Sequence, residues 1–311
     1  KIEYAKKAKR FKWKMLLRSP KVLKAIRQER EQLKGLVKAK KIDGVISDNR
    51  LGLYHSEIPT VFITHQLQVL SGSTTRLTSA MHRNYIKKFD ECWVPDFAEE
   101  SNLSGKLGHP KKFEIPVKYI GALSRLEPVE TTSSYDIMVL LSGPEPQRTE
   151  LEELLMHELK HYKGQVLFVR GVVEEEQTVT RKEQVKIVNF METEDLQKAL
   201  CASDLIICRS GYTTVMDLYK LKKKAFFIPT PGQTEQEYLA KRLHNLGIIP
   251  YKDQEKFSLK DLSKVKVYSG FTSSFDQVRF NQGSFRELFG LFKGERKLRS
   301  HSKVAFNINL F

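Results

Sequence analysis

Between Ala202 and Ala240 the sequence ASDLIICRSGYTTVMDLYKLKKKAFFIPTPGQTEQEYLA carries two strand-turn-helix units whose turns are rich in residues that grip phosphate. In the first, an apolar strand, Leu205 to Cys208, passes through Arg209, Ser210 and Gly211 into a helix expected to open near Thr213 or Thr214. The opening turn of a helix leaves four backbone amides unpaired and carries about half a positive charge, which suits a diphosphate. Gly211 would let the anion come close, and the hydroxyls of Thr213 and Thr214 would add donors. Asp217 follows Thr214 by three residues on the same helical face, where a carboxylate could accept hydrogen bonds from both hydroxyls of a ribose.

The second unit has the same order: an apolar strand, Ala225 to Ile228, a Pro-Thr-Pro-Gly turn, then Gln233, Gln236 and Glu237 opening a helix. Amides and carboxylates there could read sugar hydroxyls. Taken singly, each signal has an ordinary explanation, because Ser-Gly after a strand occurs in any α/β protein and Asp217 could be a solvated helix residue. Their joint order carries the weight.

That order resembles the C-terminal domain of glycosyltransferase family 28, which includes the bacterial N-acetylglucosaminyl transferase of peptidoglycan synthesis and the plant galactolipid synthases. The resemblance rests on ASDLIICRSGYTTVMDL and KKAFFIPTPGQTEQEYLA and extends over residues 136 to 250. It implies that Arg209 to Thr214 face the diphosphate, that Asp217 replaces a ribose-binding glutamate, and that Gln236 and Glu237 contact the donor sugar. It also implies that Ser142 and Gly143, after the domain's first strand, face the donor, although Pro144 and Pro146 remove backbone donors from that turn. Three features depart from the family pattern. Asp217 is one methylene shorter than glutamate, Glu237 stands where many relatives have a second amide, and the loop before Gln236 is about one residue shorter. Donor identity stays open.

These residues need a scaffold that brings strand ends together. A second α/β series from Asp136 supplies it, with strands at Asp136 to Leu141 and near 166–169 and 185–188, and a helix over 149–162. Upstream, short strands are expected at Gly44 to Ser47, Val61 to Thr64, Cys92 to Val94 and Val117 to Ile120, with a helix from Leu77 to Phe89. This spacing fits parallel, helix-covered sheets. Ser19 and Pro20 read as N-cap and first turn of a further helix whose stripe is Val22, Leu23, Ile26, Leu33, Leu36 and Val37. The polar stretch between Gly121 and Tyr135 reads as a domain boundary.

The expected fold is therefore α/β, with two Rossmann-like domains facing a cleft (the GT-B architecture) and a first domain incomplete at its N-terminus. Residues 1–130 form the acceptor-side domain, 131–285 the nucleotide-sugar domain, and 286–311 a basic, apolar tail.

In the first domain, Ser47-Asp48-Asn49-Arg50 and Thr64-His65-Gln66 each follow a strand, so both lie at the carboxyl edge of a parallel sheet. An inverting transfer needs a base for the acceptor hydroxyl and positive dipoles for the leaving nucleoside diphosphate. His65 and Asp48 are the candidate bases. The alternative is that Asp48 and Asn49 cap a turn and His65 positions a loop. Family members carry a Gly-rich loop with a histidine after their first strand; none occurs here, so the base could also lie upstream of Lys1. His55, His82 and His109 make no metal-ligand spacing with carboxylates, and there is no DxD sequence. Metal-independent transfer, with no cofactor beyond the nucleotide-sugar co-substrate, is expected.

Charge is concentrated at one end. Residues 1–41 hold 16 of the 53 Lys+Arg and 3 of the 37 Asp+Glu, so +13 of the net +16 lies there. Phe11, Trp13, Met15, Leu16 and Leu17 are interleaved among these lysines, a pattern suited to an anionic membrane interface. Nucleic acid could use the same charge, and a solvated basic helix packed on its domain is the plainer alternative. No apolar run approaches the ~18 residues of a membrane span. Cys92, Cys201 and Cys208 form no CxxC pair and read as reduced thiols of a cytoplasmic protein, peripheral on the inner face of the membrane. The sequence starts at Lys1 with a segment too polar for a secretory signal, and reads as part of a longer chain.

The reading is a hexosyltransferase moving a hexosyl or N-acetylhexosaminyl group from a UDP-sugar to a glycan or lipid-linked acceptor. A sugar-nucleotide epimerase of the same fold and a non-catalytic nucleotide- or membrane-binding subunit are the rivals. Acceptor, donor base and sugar, linkage and oligomeric state are not legible from the residues.

Overall fold

The computed structural model describes residues 8–70, 75–271 and 287–293. The side chains of residues 1–20, with the aromatic and aliphatic residues expected at a membrane interface, lie outside the described set, as does the tail beyond 293. The described chain forms two sheets. One unit contains Lys12–Gly121 and Val278–Phe311; the other contains Ala122–Gln277.

The first sheet is built from β1 (Val45–Asp48), β2 (Thr60–Ile63), β3 (Glu91–Val94) and β4 (Val117–Tyr119), all parallel and ordered as in the chain. Helix α1 (Ala8–Lys38) precedes β1, and α2 (Thr75–Ile86) connects β2 to β3. Alternate residues of the strands face two small cores, as a pleat of period two requires. Phe62, Cys92 and Val94 pack with Ile86 and Phe89, whereas Val61 and Trp93 pack with Leu288. The Trp93 ring lies 5.4 Å from Phe289 and 5.8 Å from Phe292, so residues 287–293 cover the second face.

The N-cap expected at Ser19 does not form, because α1 continues through Pro20. A proline's fixed φ is itself helical and removes a single amide donor, so the ladder resumes on either side. The expected stripe is only partly used: Leu33 is buried, but Leu23 and Leu36 are 43% and 37% exposed. Polar contacts fix the helix instead. Glu29 pairs with Arg50 at 2.9 Å, and Arg30 both donates to the Tyr54 hydroxyl and lies over its ring at 4.4 Å. Among the described residues no helix is long and apolar enough to cross a membrane.

The second sheet has six strands in the order β10-β9-β5-β6-β8-β7. They are β5 (Tyr135–Leu140), β6 (Val166–Val169), β7 (Val179–Lys182), β8 (Val185–Val188), β9 (Ser203–Cys208) and β10 (Lys224–Phe227). All pairings are parallel except β7 with β8. Ile137, Val139, Phe168, Ile207 and Phe226 build one core, and Met138, Leu167, Ile206 and Phe227 on the alternate positions are fully buried as well. Burial on both faces is why these strands read as unbroken apolar runs.

Three helices connect these strands, α3 (Gln147–Glu158), α4 (Thr193–Cys201) and α5 (Tyr212–Lys220), and α6 (Thr234–Asn245) follows β10. Helix α3 begins two residues earlier than the expected 149 and passes into a 3-10 turn, Leu159–His161. The edge strand β7 has no counterpart in the sequence reading. All four of its residues are exposed, and Arg181 and Lys182 on that edge discourage pairing with another chain.

Candidate functional site

The strand order of the second sheet locates a crevice before any side chain is considered. From β5 the chain builds β6 and β8 on one side, then crosses back to place β9 and β10 on the other. At such a reversal the connections leave β5 and β9 toward opposite faces, opening a crevice at their carboxyl ends. The loops after β10, β9 and β5, three adjacent strands, are those that carry the sequence-predicted residues.

The β9 loop leads into α5, whose N-cap is Gly211 at φ −68°, ψ 147°. The helix thus starts at Tyr212, slightly before the expected Thr213 or Thr214. The amide of Val215 is the first to bond back, to the Gly211 carbonyl at 3.0 Å, so those of Thr213 and Thr214 point out of the helix end with no i−4 carbonyl. Thr213 is exposed and Thr214 half-buried. The Gly211 backbone conformation is open to any residue, and a Cβ there would meet nothing nearer than the Thr214 hydroxyl at 4.0 Å. Nothing inside the protein demands glycine at this point; the space over it is kept clear toward the outside.

Two residues of this loop differ from the expectation. Arg209 does not face the crevice with its side chain: it is 1% exposed, and its guanidinium donates to the carbonyls of Ile228 (3.0 Å), Pro229 (3.1 Å) and Gln147 (2.7 Å). It therefore ties the β9 loop to the β10 loop and to the start of α3. Burial pushes its pKa down to about 10, with Glu150 opposing, so it stays charged at neutral pH. Three carbonyls hold its two terminal nitrogens, its Nε is buried with no hydrogen-bond partner among the described residues, and its positive field lies under the loop. Ser210 is likewise fully buried, with its hydroxyl donated to the Gln236 carbonyl at 2.8 Å, joining the β9 loop to α6.

The β10 loop is braced by its own polar residues. Gln233 caps α6, its side chain accepting from the Gln236 amide at 2.7 Å. Gln236 accepts from the Thr230 amide at 2.9 Å through Oε1, which leaves its side-chain NH2 as the group able to donate. Glu237 accepts from the Gly232 amide at 2.8 Å; it closes the turn while remaining exposed, with a second oxygen available.

In the β5 loop, Ser142 and Gly143 are exposed, and Gly143 sits at φ +104°, a conformation that favours glycine. The neighbouring Arg148 is held by Glu145 at 2.6 Å and Glu152 at 2.5 Å. The site thus offers an anion backbone amides, hydroxyls and a helix end.

Asp217, on the second turn of α5, is half-buried and accepts a hydrogen bond from the Ser124 hydroxyl at 2.6 Å. Burial raises its pKa above the usual carboxylate range, while Ser124 and the charge of Arg125 act in the opposite direction. Ser124 belongs to the stretch between the sheets, and its neighbour Leu123 donates its amide to the Met216 sulfur at 3.4 Å. Sequence reasoning treated this stretch as a linker and missed both contacts.

In the first unit, Asp48 ends β1 and is exposed, level with Ile63 of β2, and His65 lies two residues beyond that strand. The two candidates stand at adjacent strand ends of one sheet edge. His82, on α2, was not singled out as a site residue. Its ring packs against Phe62 with centroids 6.0 Å apart. Burial lowers its pKa to about 4; a backbone hydrogen bond at Gln66 opposes this and the nearby His65 adds to it.

The fold is that of an α/β protein of the GT-B class. The solved glycosyltransferases of similar fold include the calicheamicin glycosyltransferase CalG4 (TM-score 0.55, 11% identity, covering 89% of this chain and 80% of that one). The glycotransferase of kitacinnamycin is also similar (TM-score 0.53, 13% identity, 88% and 76% covered). Residues 148–269 match the glycosyltransferase family 28 C-terminal domain. Among curated relatives, the UDP-N-acetylglucosamine–N-acetylmuramyl-(pentapeptide) pyrophosphoryl-undecaprenol N-acetylglucosamine transferase of Haemophilus influenzae (strain PittGG) is 27% identical over 194 residues, 60% of this chain and 50% of the relative. The enzyme of the same name from Desulfitobacterium hafniense (strain Y51) is 24% identical over 207 residues, 61% and 53% covered. The chain spans about half the length of the curated relatives it matches.

Proposed function

We propose that this chain transfers a hexosyl or N-acetylhexosaminyl group from a UDP-sugar to an acceptor hydroxyl with inversion and without a metal. The observation that carries this reading is the convergence of three adjacent loops at the β5/β9 crevice, over a helix end kept open by Gly211. In this reading the amides and hydroxyls of Thr213 and Thr214, with Ser142 and Gly143 opposite, hold the diphosphate. As the glycosidic bond breaks, the leaving phosphate gains charge, and the α5 dipole and the buried Arg209 charge stabilise it. Asp217 accepts from the ribose hydroxyls through the oxygen that Ser124 leaves open. The Gln236 side-chain NH2 and the outer oxygen of Glu237 address the sugar.

On the acceptor side, His65 or Asp48 takes the hydroxyl proton as oxygen attacks the anomeric carbon. The curated relatives are named for a pyrophosphoryl-undecaprenol acceptor, and we take a lipid-linked acceptor as the class for this chain. The basic residues 1–41 would then lie against an anionic membrane at its inner, cytoplasmic face.

Calorimetric titration of UDP, GDP and dTDP, with and without their sugars, into the wild-type chain and Asp217→Ala tests the donor half. One nucleotide should bind, and the substitution should weaken it by roughly 1.5 to 3 kcal/mol, the scale of a charged hydrogen bond. Well-folded protein that binds no nucleotide would remove the reading.

A further inference from the structure

Asp96 lies two residues beyond β3, on the same sheet edge as Asp48 and His65, and is fully buried. Its Oδ1 accepts from the amides of Phe97 and Leu103, each at 2.8 Å, and its Oδ2 accepts from the Ser104 amide at 2.8 Å and from the Ser104 hydroxyl. A carboxylate has about four acceptor sites, and these four donors fill them. His109 is a fifth, its Nε2 3.1 Å from Oδ2. Burial alone would raise the Asp96 pKa, but the bonds from His109, Ser104 and the amides of Leu103 and Ser104 hold it below the usual carboxylate range. Asp96 is therefore an acceptor, and the Nε2 of His109 carries the proton.

The buried charge does not need this fifth bond; its consequence is for the histidine and the backbone that carries it. The His109 ring is stacked on Tyr119, with centroids 4.5 Å apart and planes 9° from parallel, and the Tyr119 hydroxyl donates to the Gly108 carbonyl at 3.2 Å. One carboxylate thus holds Leu103 and Ser104 at one end of a short 3-10 turn, Gly105–Leu107, and His109 at the other. This turn also meets the loop that carries His65. The Leu107 carbonyl accepts from the Gln68 amide at 2.9 Å. A Cβ on Gly108 would stand 3.4 Å from the His65 carbonyl oxygen and 2.5 Å from the Ser104 hydroxyl that Asp96 holds.

We propose that His109 is a positioning residue: its bond to Asp96 holds the segment from Leu103 to His109 against the His65 loop, and in the transfer reaction it thereby fixes His65. The second half of this statement rests on the transferase reading with His65 as the base; the first does not.

Three variants of the full chain test it. His109→Phe keeps a ring against Tyr119 but no donor, His109→Gln has a side-chain NH2 that can replace the Nε2–H, and the third joins His109→Phe to His65→Gln. By hydrogen exchange, the Gln68 amide should open about tenfold faster or more in His109→Phe and at the wild-type rate in His109→Gln. The Cys92 amide of β3, bonded to the Pro116 carbonyl, should not change. Wild-type exchange of Gln68 in His109→Phe, or a rise shared by Cys92, overturns the tie. In transfer from UDP-N-acetylglucosamine to a polyprenyl-diphosphate-linked sugar, His109→Phe should lower kcat about tenfold or more with the KM for donor unchanged, and His109→Gln should restore it to within about threefold. In the His65→Gln background the Phe substitution should have less than about a twofold effect. Equal losses in both backgrounds, or an unrestored Gln variant, overturn the action through His65. If the wild type transfers no sugar while the exchange pattern holds, the second half falls with the transferase reading and the first stands.

Discussion

Ser124 donates its hydroxyl to Asp217 at 2.6 Å, so the carboxylate proposed for the ribose is oriented by a residue 93 positions earlier, at the exit from the first sheet. Of the two carboxylate oxygens, one is held and the other is left for ligand. Because burial raises the Asp217 pKa while Ser124 lowers it, Ser124→Ala should raise it further. UDP affinity would weaken a few-fold, with its acid limb moved to higher pH, in calorimetric titrations across pH. The sign for stability is opposite. A carboxyl with a raised folded pKa favours folding below its unfolded pKa and loses that contribution as pH rises through the folded value. Asp217→Asn should therefore make the ligand-free protein more stable at neutral pH while it binds nucleotide less well, and a melting curve beside a titration checks both.

Gly211 separates folding from binding. Its backbone conformation suits alanine and a Cβ has room, so Gly211→Ala should change stability by less than about 1 kcal/mol, the usual difference between the two at an N-cap. The same methyl would stand where the diphosphate approaches. A loss of UDP affinity of at least tenfold with an unmoved denaturation midpoint is the expected result; unchanged affinity would place the anion elsewhere.

Arg209 should behave in the reverse way. Its three carbonyl partners belong to the β10 loop and the start of α3, and removing a buried charged donor leaves them unpaired. Arg209→Met should cost about 2–4 kcal/mol in chemical denaturation. Arg209→Lys should recover little, because one ammonium cannot reproduce a planar fork reaching two loops.

The strands of the second sheet were legible because burial on both faces writes itself as apolar runs such as LIIC and AFFI, each bounded by a polar turn. The positions of Gly211, Thr213, Thr214 and Asp217 were legible for a related reason: a strand, a glycine and a helix start fix their neighbours locally. What the sequence hides is where a side chain's partner comes from. Arg209 reads as a phosphate ligand because it adjoins Ser-Gly, yet its partners lie up to 62 residues away. Ser124 sits in a polar stretch that no periodicity marks, and the edge strand Val179–Lys182 is too exposed to carry any apolar signal. At Pro20 the local rule for a helix start was sound, but the helix had already begun.

His82 makes acid sensitivity measurable. Its folded pKa, near 4, lies below the ordinary value of 6.5 because it is buried. The unfolded chain therefore takes up a proton at a higher pH than the folded one, and the stability tied to neutral His82 declines as pH falls from 6.5 toward 4. Denaturation midpoints followed across this window should drop in the wild type, and the slope should be smaller in His82→Leu. Identical slopes would assign the acid lability to other groups.

His65 and Asp48 compete for one role at neighbouring strand ends, and kinetics can separate them. A general base contributes about 10² to 10⁴ in rate, and only to the chemical step. If His65 is the base, His65→Gln should lower kcat by that factor while UDP affinity, which the proposed function assigns to the other unit, holds. Asp48→Asn should then change kcat by no more than a few-fold. The reverse pattern would assign the base to Asp48 and leave His65 to position its loop. Two variants with nearly wild-type kcat would remove both from the chemistry. Because the base must act on an acceptor bound in reach, the assay should vary acceptor concentration, so that a loss of kcat is distinguished from a rise in KM.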